Sequence, residues 1–211
     1  HSLPMALIGA CPLRVGWFGF NAGSALGANA TAALAFFNTL LATAGGVIAW
    51  TAVEWMYKGK PSLLGGISGM VAGLVGITPA AGLVGFTGAL IIGLFSGAIC
   101  VWGVNGLKRI LGADDTLDVF GIHGVGGMVG ALLTGVFNAQ PLGGPGLKTL
   151  SEIPQQVWLQ FEGIATTLVW SGLCALLAYF IADKLCGLRV GSDIEREGLD
   201  IQSHGESAYH R

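Results

Sequence analysis

The sequence has 211 residues, of which 53% are hydrophobic and only 10% are charged, and its formal net charge is −2. Soluble domains usually carry about 25% charged residues, so these charges are too few to cover the surface of a soluble domain of this length. The small net charge gives no reason to expect a nucleic-acid partner. The alternative, a very apolar soluble protein, is opposed by the way in which the charges are distributed.

The charged residues leave four long segments that contain no Asp, Glu, Lys or Arg. A helix needs roughly 20 apolar residues to cross the hydrocarbon core of a membrane, and each segment can hold one or two such helices. The segments run from Val15 to Val53, from Pro61 to Leu107, from Val119 to Leu147 and from Gly163 to Ala182. The sequence therefore predicts an all-α fold, a polytopic transmembrane helical bundle.

In chain order, the sequence predicts six membrane-spanning helices, which form a bundle over residues 1–186. They cover residues 4–24, 30–56, 62–79, 84–107, 117–137 and 153–185, to within a few positions. The third is short and rich in glycine, whereas the sixth is longer than one crossing requires and should tilt or extend beyond the bilayer. Residues 187–211 form a polar C-terminal tail, which is either disordered or an ordered segment that docks on the bundle or on a partner.

Basic residues cluster in the connections on one side of the predicted bundle. They are Lys58 and Lys60 after the second helix, Lys108 and Arg109 after the fourth, and Lys184 and Arg189 around the end of the sixth. The opposite side has only Lys148. Because cytoplasmic loops are enriched in Lys and Arg, we expect the basic side and the C-terminus to be cytoplasmic. Six crossings would place the start of the chain on the same side.

Glycine is abundant, with 36 residues. Several glycines are spaced four residues apart, a pattern that lets helix backbones approach closely within a membrane. The sets are Gly65-Gly69-Gly73, Gly93-Gly97 and Gly126-Gly130. One such match is weak evidence, but several in one chain predict a tightly packed bundle.

His123 is the only histidine within a predicted span, and polar groups within a membrane are costly enough to suggest function. One hypothesis is a pore-lining imidazole, which can donate and accept hydrogen bonds at once. The other is a structural hydrogen bond to a neighbouring helix. Asp118, five positions earlier, has two interpretations. It lies at the mouth of such a pathway, or it is a negative charge at the N-terminus of a helix, where the helix dipole favours it. The second interpretation is slightly preferred.

The first predicted helix carries a stripe of aromatic and polar residues. Residues three or four apart share a helix face, so the stripe consists of Trp17, either Phe20 or Asn21, and Ser24. Aromatic faces attract cations by about 1–2 kcal/mol where water is scarce, so the stripe could line a cation pathway. An interfacial aromatic belt combined with ordinary packing explains it equally well.

The residue pattern gives no support to an enzyme. The four cysteines are scattered, without metal-ligand or redox spacing, and are interpreted as free buried thiols. No nucleophile–base pair and no phosphate-binding loop is evident. We therefore predict no enzymatic activity, no metal site and no cofactor.

Several motifs, in order along nearly the whole chain, resemble those of the ammonium transporter (Amt/Mep/Rh) family, in particular its bacterial branch. They occupy residues 16–24 (GWFGFNAGS), 59–62, 72–80, 88–93, 118–124 (DVFGIHG) and 195–206. The resemblance implies eleven spans, in which two five-helix halves are related by an inverted pseudo-twofold axis and precede a long final helix. This chain would then be the C-terminal half, and its start at His1, without a signal peptide, also suggests a piece of a longer product.

The resemblance also implies roles for four residues. Phe20 would be one of two stacked phenylalanines that gate the pore, Ser24 would contribute to the outer ammonium-recruitment site, and Trp17 would line the wall. His123 would be one of two paired histidines deep in the pore, and the second histidine would belong to the first half. Arg14 departs from the apolar or aromatic residues usual before Gly16, and near a cation pathway it would raise an electrostatic barrier unless it is paired or turned away.

The function implied by the resemblance is transport of ammonium or ammonia across the cell's inner (plasma) membrane. Each protomer of a homotrimer would have its own pore, in which ammonium is recruited and deprotonated and then passes the paired histidines. The alternative is an ammonium sensor whose tail signals to a PII-type regulator. The intact set of Phe20, Ser24 and His123 favours conduction over sensing, and a purely structural membrane subunit would leave the motifs unexplained.

Overall fold

The structure is a computed structural model that describes residues 2–112 and 114–207. These residues form helices, turns and loops with no β-strand, which confirms the predicted all-α class. The chain divides into two compact units, the first extending to Ile164 and the second beginning at Ala165. The sequence instead predicts a division between a bundle of residues 1–186 and a tail of residues 187–211, and this division stays a prediction.

The described residues of the first unit form six α-helices and the beginning of a seventh. The helices are α1 (Leu3–Gly23), α2 (Ala30–Lys58), α3 (Leu63–Ile77), α4 (Phe86–Trp102), α5 (Lys108–Leu111), α6 (Val125–Phe137) and α7 (Ile153–Cys186). A π-helical segment, Gly103–Leu107, joins α4 to α5, and a second, Phe120–Gly124, leads into α6. Short 3₁₀ turns at Gln140–Leu142 and Leu150–Glu152 lie between α6 and α7.

The second unit holds the rest of α7 and two short helices, α8 (Ser192–Glu197) and α9 (Leu199–His204). The Arg189 guanidinium pairs with the Glu195 carboxylate at 2.6 Å. The tail is helical over these two ranges, and its docking on the bundle or on a partner stays a prediction. The last four positions of the predicted tail, residues 208–211, lie outside the described residues.

Five helical stretches in the described residues are long and apolar enough to cross a membrane. They are Leu3–Gly23, Ala30–Lys58, Phe86–Leu111, Phe120–Phe137 and Leu150–Cys186. Two of these stretches contain a π-helical segment. Gly103–Leu107 joins α4 to α5 without a break, and Phe120–Gly124 continues directly into α6. The predicted third span corresponds to α3, which has 15 residues and is shorter than the others. The count of six crossings stays a prediction.

Glycines bring the backbone of α2 into direct contact with both α3 and α4. A Cβ atom added at Gly73 of α3 or at Gly93 of α4 would overlap the carbonyl oxygen of Ala42 in α2. A Cβ at Gly97 would lie 2.5 Å from the carbonyl oxygen of Gly46. The expectation of tight helix packing at these glycines is confirmed, because their missing side chains leave the space that the neighbouring backbone fills.

Buried polar side chains tie α1 and the loop after α3 to α2. The Asn21 amide donates to Thr39 Oγ1 at 3.0 Å, and the Thr39 hydroxyl donates to the Ala35 carbonyl at 2.6 Å. Asn38, which is fully buried, donates to the carbonyls of Ala81 and Val84, at 2.8 Å each. Buried polar groups of this kind fix one arrangement of the chain, because an unpaired alternative would leave them unsatisfied.

We expect Gly69→Ala to destabilise the bundle and Gly66→Ala, one turn away on α3, to leave it intact. A Cβ at Gly69 would lie 2.5 Å from Trp50 Cβ and 2.7 Å from the Gly46 oxygen, whereas a Cβ at Gly66 would meet only Thr51 Cγ2, at 4.0 Å. Overpacking of this kind costs about 1–3 kcal/mol. Thermal unfolding in detergent micelles measures the difference, and equal melting temperatures for the two variants would contradict the packing described above.

Candidate functional site

Trp17 is held in a fixed orientation on α1 by a hydrogen bond to the end of α3. Its indole Nε1–H donates to Thr78 Oγ1 at 2.8 Å, and the Thr78 hydroxyl donates in turn to the Leu74 carbonyl at 2.8 Å. Thr78 directly follows α3, which ends at Ile77. The indole ring therefore has a defined plane against which other rings can lie.

The Trp17 ring lies between two further candidate residues. Its centroid is 6.1 Å from that of Phe20 in an edge-on arrangement of 70°, and 6.2 Å from that of His123 with an interplanar angle of 31°. The Phe20 side chain is 61% exposed, and His123 is exposed as well. The structure thus brings Trp17, Phe20 and His123 together on one accessible face.

Ser24 lies just after the end of α1, about one helical turn beyond Phe20. Its hydroxyl donates to the Phe20 carbonyl at 2.8 Å, and the residue is exposed. Because the hydroxyl proton is used within the chain, the remaining lone pairs of the oxygen are oriented to accept hydrogen bonds from outside. Such an acceptor suits a ligand that only donates hydrogen bonds.

Burial decides which residue of the predicted α1 stripe is accessible. Asn21 is only 6% exposed and faces α2, where its amide contacts Thr39. Phe20 takes the exposed position between Trp17 and Ser24. The stripe of the candidate site is therefore Trp17, Phe20 and Ser24, and Asn21 is part of the packing between helices.

His123 lies in the π-helical segment Phe120–Gly124 rather than in regular α-helix. π-Helical turns of this kind are frequent at functional sites. The segment crosses the other π-helical segment at a pair of glycines, where a Cβ at Gly103 would lie 2.5 Å from the Gly121 carbonyl oxygen. A side chain at Gly103 would overlap the Gly121 carbonyl, and one at Gly121 would be in tight contact with Gly103 and Val104, so the two segments pack backbone against backbone next to His123.

The start of this segment is capped by Asp115 and not by Asp118. The Asp115 carboxylate accepts from the backbone N–H groups of Val119, Phe120 and Gly121 at 2.8, 2.9 and 3.4 Å. Asp118 instead has a left-handed backbone conformation, with φ of 56°, and pairs with Lys108 at 2.8 Å. Asp118 lies just before this segment, so its charge stands at the helix N-terminus, but its carboxylate pairs with Lys108 and does not cap the backbone. The choice between a dipole-favoured charge and a pathway mouth stays a prediction.

Arg14 contacts an aromatic pair at the side of α1. Its guanidinium carbon lies 5.9 Å from the centroid of the Phe18 ring, which stacks on Phe36 at 4.4 Å. A cation over an aromatic face at this distance is favourable. Its Nε atom is buried and has no hydrogen-bond partner within the described part of the chain. The Arg14 side chain therefore has a favourable contact on α1 itself, and its effect on a cation pathway stays a prediction.

Sequence reasoning missed two residues of the site, Thr78 and Asp115. Thr78 lies in a stretch that resembles the family, but nothing local indicates that it accepts a hydrogen bond from a residue 61 positions away. Asp115 had a usable signal, since a carboxylate shortly before a helix is a common N-terminal cap. In the described residues, no group of three or more His, Cys, Asp or Glu side chains could hold a metal ion.

Comparisons with known proteins point to one family. The family described as the Ammonium Transporter Family matches residues 1–209. An ammonium transporter of Aquifex aeolicus is 47% identical over 99% of this chain and 49% of its own length. The crystal structure of Saccharomyces cerevisiae Mep2 is 35% identical, with a TM-score of 0.80 over 88% of this chain and 45% of that one.

A further solved structure, described as a Sensor Amt Protein, is 28% identical with a TM-score of 0.87, over 96% of this chain and 49% of that one. The chain spans about half the length of the relatives it matches. Those relatives are named as transporters, which form a transport family and not a class of enzymes. The family match and the apolar helices together identify a multi-pass membrane protein.

We expect Thr78→Val to destabilise the protein by about 0.5–1.5 kcal/mol, because the half-buried indole N–H of Trp17 would lose its acceptor. Thr78→Ser is the matched control, since it keeps the hydroxyl that accepts from Trp17 Nε1 at 2.8 Å. Thermal unfolding of both variants, alone and combined with Trp17→Phe, measures the coupling between the two side chains. Two results would contradict the hydrogen bond between Trp17 and Thr78. One is a Thr78→Val variant as stable as Thr78→Ser. The other is a stability loss from Thr78→Val that is the same whether or not Trp17→Phe is also present.

Proposed function

This chain belongs to the ammonium transporter family, and we propose that it supplies one half of a pore that conducts ammonium or ammonia across a membrane. The observation that carries the proposal is the cluster of Trp17, Phe20 and His123, whose rings meet on an accessible face. Ser24 extends this face by one turn with an oriented acceptor oxygen. The second half of the pore comes from residues outside this chain.

Recruitment of ammonium takes place at the Ser24 end of the cluster. Ammonium donates four hydrogen bonds and accepts none, and the exposed Ser24 oxygen offers lone pairs to it. The aromatic faces of Trp17 and Phe20 attract a cation by about 1–2 kcal/mol when water is scarce. Neither contact requires a charged residue, so the ion is held weakly enough to move on.

Passage beyond Phe20 requires that the charge is removed from the substrate, because a charge at mid-membrane costs at least a few kcal/mol. Neutral ammonia then crosses an apolar constriction lined by His123 and by a second histidine from the other half of the protein. The proton travels separately along the histidine pair. An imidazole suits this role because it can accept a hydrogen bond on one nitrogen and donate from the other.

The basic residues of the connections support an orientation with the C-terminus on the cytoplasmic side of the inner membrane. Lys58, Lys108 and Lys184 belong to the sequence positions that this orientation assigns to the cytoplasmic side. Three copies form a homotrimer in which each protomer has its own pore. The transported substrate and the lipid bilayer are then the partners of every protomer.

We expect His123→Ala, made in the full-length protein, to lower ammonium flux at least tenfold or to abolish its selectivity against other monovalent cations. Removing the imidazole breaks the proton path and leaves a wider, wetter constriction. Flux into proteoliposomes measures both effects, with His204→Ala as the matched control, because His204 is an exposed histidine of α9 and lies outside the proposed pathway. Unchanged flux and selectivity would refute the role of His123.

A sensor that signals through its tail is the second candidate function. Two observations favour it: the tail contains the helices Ser192–Glu197 and Leu199–His204, and the chain is similar to a structure described as a Sensor Amt Protein. In this case ammonium binding at the same face would change how the tail engages a cytoplasmic PII-type regulator. The conducting and sensing functions share the site and differ in whether substrate passes through.

Removal of residues 187–211 from the full-length protein separates the two functions. For a conducting protein with a regulatory tail, we expect ammonium flux to persist and binding of a purified PII-type protein to be lost. Flux in proteoliposomes and co-purification with the regulator are the two measurements. No flux in the intact protein, together with ammonium-dependent binding of the regulator, would favour the sensor.

A further inference from the structure

Asp115 makes an unusually dense set of contacts with the segment that carries His123. Both of its carboxylate oxygens are used: Oδ1 accepts from the Val119 N–H at 2.8 Å, and Oδ2 accepts from the N–H groups of Phe120 and Gly121 at 2.9 and 3.4 Å. The first N–H groups of a helix have no partner within the helix. One side chain therefore satisfies three consecutive donors at the start of the π-helical segment.

The same segment is held from its side by the backbone of the other π-helical segment. A Cβ atom at Gly121 would lie 3.0 Å from the Gly103 carbonyl carbon and from the Val104 nitrogen, so the two backbones touch. The Cys100 thiol donates to the Ile122 carbonyl at 3.6 Å, which is a weak contact on the same side. Asp115 at one end and Gly103 at the side leave the segment little freedom to rotate.

His123 follows Gly121 by less than one helical turn, so rotation or fraying at the start of the segment would move its imidazole directly. The imidazole meets the Trp17 ring at 6.2 Å, and Trp17 is itself fixed by Thr78. Within residues 2–112 and 114–207, Trp17 is the one partner in this ring contact that is anchored by a side-chain hydrogen bond of its own. The other, His123, depends on the placement of its backbone.

We propose that Asp115 is a positioning residue for His123: its carboxylate fixes the first turn of the π-helical segment and thereby sets where the imidazole lies relative to Trp17. The proposal rests on the proposed function, in which His123 lines the conduction path. Asp115 itself does not touch the aromatic cluster, and it acts only through the backbone of Val119, Phe120 and Gly121. A misplacement of this kind impairs a pore without changing any residue that lines it.

The test uses Asp115→Ala and Asp115→Asn in the full-length protein. Alanine removes all three acceptor contacts, whereas asparagine keeps the side-chain volume and one acceptor oxygen. Thr116→Ala is the matched control from the same loop, because the exposed Thr116 hydroxyl donates to the neighbouring Asp114, at 3.1 Å, and to no helix backbone among the described residues. We expect ammonium flux in proteoliposomes to fall on the order of tenfold for Ala, less for Asn, and not at all for Thr116→Ala.

A second readout separates positioning from a general loss of structure. In NMR spectra of histidine-labelled protein, the His123 ring signal is assigned by its disappearance in His123→Ala. We expect this signal to move in Asp115→Asn, while the ring signal of His204, in α9, stays in place. A structural role without positioning would instead lower the melting temperature and leave the His123 signal of the folded protein where it is.

The inference is overturned if flux is unchanged in both Asp115 variants, or if flux falls while the His123 signal of the folded protein does not move. The proposed function has its own test, since it fails if His123→Ala transports ammonium as the unaltered protein does. If His123→Ala lowers ammonium flux as expected and both Asp115 variants leave it unchanged, the positioning role of Asp115 is rejected and the proposed function stands.

Discussion

Direct backbone contact between α2 and its two neighbours is the constraint on which the rest of the structure depends. The carbonyl of Ala42 occupies the space that side chains at Gly73 and Gly93 would need, so α3 and α4 pack against the same stretch of α2. In a membrane there is little hydrophobic drive to bring helices together, and close packing of small residues supplies the attraction instead. The glycine content is therefore the source of the bundle's stability, although the same residues would weaken helices in water.

This packing determines where the candidate site can form. Because α3 is fixed against α2, Thr78 at its end is placed to receive the indole N–H of Trp17. The contact between Gly103 and Gly121 similarly fixes the π-helical segment that carries His123. Trp17 and His123 thus come into ring contact because the two elements that carry them are anchored separately. Such preorganisation suits a conduction path, where a dry constriction must keep its width as the substrate passes.

The sequence predicts the helices well because the thickness of the bilayer fixes their length, whatever their neighbours are. It predicts the site less completely. Spacing along α1 cannot distinguish Phe20 from Asn21, since residues three and four positions on share a face with Trp17, and only burial against α2 separates them. The capping role of Asp115 depends on the path of the loop, in which the left-handed conformation of Asp118 turns that side chain away. The assignment of the chain to one half of a longer fold came from ordered motifs, and the family match supports it.

The central claim is that the exposed face formed by Trp17, Phe20, Ser24 and His123 is one wall of a pore. A cryo-electron microscopy structure of the full-length protein in lipid nanodiscs tests it most directly. The account predicts that a second set of helices covers this face and leaves a narrow passage along it, with a second histidine opposite His123. Lipid acyl chains packed against Phe20 and His123, with no enclosed passage, would contradict it.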